Sequence, residues 1–232
     1  MAHDWLDLLR RSTDRFAAVV DGADPGTPVT WCPGWTLHDL VDHLGGVHQW
    51  AAHAVVVGDP SLEPEPAERG VDLSRWYAAH ASALVDVLAA TPADAAAWTL
   101  DKQDRTAGFW RRRQVHETVM HTWDAEEAPR ELGGDPRPIE PWLAWDGVLE
   151  VARILYPRQV HLGRVAPLPV ALRLTASDVD GDLTLGEATR GDGDPFVVED
   201  SAEVLLRLLW HRAPTDRIDP RAAALLAGAL TP

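Results

Sequence analysis

Arg111-Arg112-Arg113-Gln114-Val115-His116-Glu117-Thr118-Val119-Met120-His121-Thr122-Trp123-Asp124 is the stretch whose reading decides the fold of this 232-residue chain. On a helix, where each residue advances about 100°, Glu117 and His121 sit roughly 40° apart on adjacent turns. Trp110, Arg113, Glu117, His121 and Asp124 fall on one face, flanked by Phe109 and Met120, with Val115 and Val119 opposite. Burying arginine, glutamate, histidine and aspartate together costs several kcal/mol per ion unless the charges satisfy one another or hold a metal. A carboxylate and an imidazole at this spacing grip one side of a divalent cation. The same pair is also common on solvated helices, where it contributes only a few tenths of a kcal/mol.

A third ligand has to come from elsewhere. Pro33-Gly34-Trp35-Thr36 reads as a turn ending in a helix N-cap, with Asp39 completing an imperfect capping box. Leu40, Val47, Trp50, Ala54 and Val57 then recur as an apolar stripe at helical spacing, and His43 falls inside it. His38 and His48 project roughly 140° away from His43, and His53 about 80° away and more than two turns on. The periodicity selects His43 as the histidine directed into the fold.

These segments resemble a known family. Pro33-Gly34-Trp35-Thr36 with His43-Leu44, then Gly108-Phe109-Trp110 with Arg112-Arg113, His116-Glu117, His121 and Asp124-Ala125-Glu126, are similar to the mycothiol-dependent maleylpyruvate isomerases. That family belongs to the DinB-like metal-binding four-helix bundles. The resemblance implies a divalent metal, usually zinc, held by His43, Glu117 and His121, with mycothiol as the thiol cosubstrate. It also implies a small C-terminal α+β domain similar to sterol-carrier folds, and Asp146-Gly147-Val148 with Glu150 matches a helix start common in relatives. Relatives frequently carry arginine after the second metal histidine, where this chain has Thr122. If that arginine binds substrate or thiol, the reaction here departs from the namesake isomerisation.

The fold expected is therefore mainly α, with a metal-binding bundle over residues 1–132 and a small α+β domain over 139–232. Helices are expected over Trp5–Val20, from the Thr36 cap to about Gly58, over Leu73–Ala90, and from about Ala107 to Ala128-Pro129. The proline-rich residues 60–70 read as an extended surface loop. Gly133-Gly134-Asp135-Pro136-Arg137-Pro138 marks the domain junction. Beyond it come a helix over 140–156 and alternating strands at Val170–Leu174, Leu183–Leu185 and Phe196–Val198, punctuated by Asp180-Gly181 and Gly191-Asp192-Gly193-Asp194. A Ser201-capped helix to about His211 and a last one over Ala222–Leu230 complete the pattern.

Composition narrows the partners. A net charge of −15 opposes nucleic acid and anionic membranes alike. The start, Met1-Ala2-His3-Asp4-Trp5, lacks the basic and apolar regions of a signal peptide, and no apolar run of membrane-spanning length occurs, so a cytoplasmic protein is expected. A single cysteine, Cys32, excludes an internal disulfide framework, and with no basic group paired locally it reads as a structural bystander. Monomer and homodimer both stay open.

Three protein ligands leave a coordination position free, as catalytic zinc requires, although His/Glu sets also suit nickel or iron. A thiol at such a position ionises near neutral pH and adds to an activated double bond of a small electrophile. Elimination after bond rotation gives cis–trans isomerisation; a persistent adduct gives S-transfer. Arg113 is placed to neutralise Glu117 or anchor a substrate carboxylate, Asp124 to orient a ligand imidazole, and Trp110 to help bind the cofactor. His116, about 100° off the ligand face, reads as structural. Two other readings remain: a metal-containing carrier of a hydrophobic metabolite, and an enzyme acting through metal-bound water without thiol.

Overall fold

The computed structural model describes residues 3–128, 136–186, 195–228 and 230–232. It divides into two compact units, Met1–Arg137 and Pro138–Pro232. The Gly133–Asp135 part of the expected Gly133–Pro138 junction lies outside the described residues; the boundary at Arg137/Pro138 falls within that junction.

The first unit is a bundle of four helices: α1 (Trp5–Val20), α2 (Leu37–Val56), α3 (Leu73–Ala90) and α4 (Ala107–Glu127). Each run follows its cap chemistry. Asp4 accepts from the amides of Leu6 and Asp7, and Asp72 from that of Arg75. Thr36 and Asp39 form a complete reciprocal box, the Thr36 side chain accepting from the Asp39 amide and the Asp39 carboxylate from the Thr36 amide. Around the bundle, α1 packs against α3 and α4, and α2 packs against the same two. Helices α1 and α2, consecutive in sequence, therefore face each other across the bundle.

This arrangement corrects the expected orientation of α2. Its core face runs through Leu37, Val41, Leu44, His48, Ala51 and Val55, all buried. Of the expected stripe, Leu40 and Ala54 are buried, Val47 and Trp50 only half-buried, and Val57 is 57% exposed. Two neighbouring helices cover two sides of α2, so a single stripe could not describe it. Gly45 allows the close approach of α3, because a Cβ there would lie 2.2 Å from the Trp76 ring.

Helix α4 is buried almost all round: Val115 on one side and Glu117 on the other are both inaccessible. Its polar residues are thus interior groups, and they need partners. Alongside it, Trp50, Trp98 and Trp110 form a cluster with centroids 5.2–6.3 Å apart.

In the second unit, α5 (Pro141–Glu150) continues through a π-helical turn, Val151–Leu155, into α6 (Tyr156–His161), extending past the expected end at 156. Pro157 supplies no amide and its ring crowds the carbonyl a turn before, which a widened turn accommodates. Strands β1 (Leu172–Ala176), β2 (Gly181–Leu185) and β3 (Phe196–Asp200) form a sheet in the order β2-β1-β3. β1 runs antiparallel to β2 and parallel to β3, with Leu172 facing both Leu185 and Phe196. The Gly191–Asp194 segment lies outside the described residues. Ser201 caps α7 (Ala202–Leu209) by accepting from the Val204 amide. The last helix, α8, spans Pro220–Leu226 rather than Ala222–Leu230; Asp219 caps it and Pro220 suits its first turn.

Candidate metal centre

Glu117 is the hub of the site. Burial alone would raise its carboxyl, but the Arg113 guanidinium, then hydrogen bonds to His121 and His43, outweigh that and hold it well below the usual carboxylate range. Its two oxygens are divided. Oε2 pairs with Arg113 one turn earlier, while Oε1 faces His43 Nε2 at 3.4 Å and His121 Nε2 at 3.5 Å.

One donor atom from each of His43, Glu117 and His121 lies within 4.8 Å of the other two. Donors held 2.0–2.1 Å from a tetrahedral ion lie about 3.4 Å apart, so both measured edges suit a zinc-sized cation. Two imidazoles and a carboxylate form a donor set used at catalytic zinc, with at least one position left for a ligand. The residues present fit the metal.

Behind His121, Asp124 accepts at Oδ2 from Nδ1 over 3.0 Å, which leaves Nε2 turned toward Glu117. Asp124 is fully buried. Burial opposes charging of His121, but the bonds to Asp124 and Glu117 prevail, raising it to about 9.

The candidate on α2 is the accessible one. The His43 side chain is 37% exposed, against 6% for Glu117 and 4% for His121. It opens onto a cavity of about 370 Å³ whose lining residues include Val47, Trp50, Pro64, Asp42 and Glu65. Of the stripe read from the sequence as a core face, Leu40 and Ala54 are core residues, while Val47 and Trp50 belong to this wall. Residues 60–66, expected as a surface loop, supply its other side. Trp110 itself is fully buried, its indole N–H donating to the Trp98 carbonyl, and its edge meets Trp50. Arg113 is buried on Glu117, and His116 packs against Trp5.

Thr122 is also interior, donating to the Thr118 carbonyl at 2.6 Å. A side chain at that position points into the bundle core, where arginine would need room and a counter-charge.

Two residues near the centre carry more than sequence reasoning assigned. His48, expected to point away, is fully buried: Nε2 lies 3.2 Å from Thr118 Oγ1, while Nδ1 has no partner among the described residues. Its place in the Leu37-Val41-Leu44-His48-Ala51-Val55 series, spaced by threes and fours, was the available signal. Cys32 is buried, and its Sγ lies 3.6 Å from Asp124 Oδ2. No local pattern could announce a contact across 92 positions.

The sequence profile of the mycothiol maleylpyruvate isomerase N-terminal domain matches residues 6–126, just over half of the chain and nearly all of this bundle. The chain belongs to the mycothiol maleylpyruvate isomerase family. A crystal structure of the mycothiol-dependent maleylpyruvate isomerase is similar over 93% of this chain and 90% of that one, with a TM-score of 0.64 at 16% identity. A histidine-to-alanine mutant of the mycothiol-dependent maleylpyruvate isomerase gives a TM-score of 0.61 at 14% identity, over 88% and 87% of the two chains. At these identities the likeness speaks for the shared fold of both units. No curated protein matches in sequence. Among the described residues, no helix of this family member is long and apolar enough to cross a membrane.

Proposed function

We propose that the chain is a metal-dependent enzyme that uses mycothiol, adding its sulfur to a small unsaturated electrophile to give cis–trans isomerisation or S-transfer. The observation that carries this reading is the convergence of His43, Glu117 and His121 beside an open cavity. Membership of a family of mycothiol-dependent isomerases supports it. Zinc is the metal proposed, with nickel or iron as substitutes the donor set tolerates.

When bound, the metal supplies a Lewis-acid position at which a thiol loses its proton near neutral pH. The protein's own groups prepare that position. Arg113 holds Glu117 Oε2 so that Oε1 is presented, and Asp124 fixes the His121 ring. Trp50, backed by Trp110, gives the cavity an apolar wall, and this is how Trp110 serves the cofactor. Asp42 and Glu65 on the same wall favour an uncharged, hydroxyl-rich partner such as the sugar portion of mycothiol over a carboxylate. Sulfur addition converts the electrophile's double bond to a single bond, which rotates before elimination; retention of the adduct is transfer.

The test has two stages. Elemental analysis of protein purified without added metal is expected to find close to one transition metal per chain. The loaded protein should then consume mycothiol with an electrophilic acceptor, and His43→Ala should abolish this. Metal without thiol dependence would point to a water mechanism, and tight ligand binding without turnover to a carrier. Absence of metal would overturn the reading.

A further inference from the structure

The chain's single cysteine lies at the rear of the metal centre. The turn containing it is closed by three backbone bonds: Cys32 N–H to Val29 O at 3.2 Å, Trp35 N–H to Cys32 O at 2.9 Å, and Val29 N–H to Trp35 O at 2.9 Å. Pro33 and Gly34 occupy the middle of the Cys32–Trp35 turn, with Gly34 at φ +86°, the pattern of a type II turn that needs glycine in third place. This one turn touches both metal helices. The Trp35 ring lies 5.0 Å from that of His43 on α2, and Cys32 Sγ lies 3.6 Å from Asp124 Oδ2 on α4.

Oδ2 is also the oxygen that accepts from His121 Nδ1. A carboxylate only accepts, so the Cys32 S–H is a donor. A chain of two hydrogen bonds thus runs from Cys32 through Asp124 to the ring that presents a ligand nitrogen.

We infer that Cys32 is a positioning residue for the metal centre: its thiol fixes the Asp124 carboxylate, which sets the orientation and basicity of His121. The inference rests on reading His43, Glu117 and His121 as the ligand set. Direct hydrogen-bond partners of metal ligands change affinity by 10–100-fold when removed, so a group one bond further back should act on a scale of about three- to tenfold.

The experiment is zinc affinity of the full chain by chelator competition, with cobalt(II) absorption as a second readout. Cys32→Ala and Cys32→Val remove the donor and are expected to weaken zinc binding about three- to tenfold and to shift the cobalt bands. Cys32→Ser keeps a donor and should restore both. In an Asp124→Asn background, Cys32→Ala should have no further effect. Equal affinities for wild type and Cys32→Ala, failure of serine to rescue, or additive losses in the double variant would each overturn the inference. Because a packing defect in Cys32→Ala would not be repaired specifically by serine, the rescue separates positioning from fold. A wild-type chain that binds no zinc would instead overturn the metal centre itself.

Discussion

His48 shows what a buried neutral imidazole does to stability. Burial penalises its cation and pushes it down to about 3, whereas in the unfolded chain it titrates near 6.5. Between those values the unfolded state binds the proton and the folded state does not. Its contribution is therefore complete above about pH 6.5 and falls as pH drops toward 3, by up to about 1.4 kcal/mol per unit. His121 runs the other way: in metal-free protein, raised to about 9, its contribution is present below 6.5 and lost as pH rises through 9. Urea midpoints of metal-free protein should peak between these windows, and His48→Leu should flatten the acid side only. At the same scale, Glu117→Leu in metal-free protein removes the carboxylate paired with the buried Arg113 guanidinium. It should cost about 3–5 kcal/mol, largely recovered by adding Arg113→Met, as denaturant melts would show.

Individual helices show which parts of the site could be read from sequence. Glu117, His121, Arg113 and Asp124 lie on one helix face, so projection placed them beside one another as the structure does. His43 was reachable because its stripe is partly real: Leu40 and Ala54 are core, while Val47 and Trp50 line a cavity. What escaped was set by packing between helices. His48 sits on a buried face its spacing could have shown, but its contact with Thr118, 70 positions away, and that of Cys32 with Asp124 leave no local trace. The lengths of α1 to α4 followed from caps and breakers, whereas the π-helical turn before Pro157 and the parallel partner of β1 depend on three-dimensional fit. Close packing at Gly45 gives a test at this scale. Gly45→Ala should force Trp76 aside, destabilise the bundle by about 1–3 kcal/mol, and weaken metal binding through the displaced His43, measured by melting and chelator competition.

For the molecule as a whole, a cation that binds only the folded first unit stabilises it by mass action. At a free concentration 100-fold above the dissociation constant the gain is about 2.7 kcal/mol, or roughly 5–10 °C in the transition of the Met1–Arg137 unit. Calorimetry with zinc and with excess chelator should show that shift, and His43→Ala should remove it. Transitions that coincide with and without zinc would contradict the assignment. The charge of −15 makes electrostatic attraction of the cation general over the surface, so the shift should persist in salt only if the site is specific.

The three proposed ligands are divided unequally along the chain, two within five residues and the third far upstream. A nascent α4 already offers two donors from adjacent turns, so zinc present at the start of refolding can be captured there before α2 docks, and arrival of the imidazole at position 43 then closes a long loop around it. Stopped-flow refolding from urea should accordingly become faster at low zinc, and slower at high zinc as stray histidines compete for the ion.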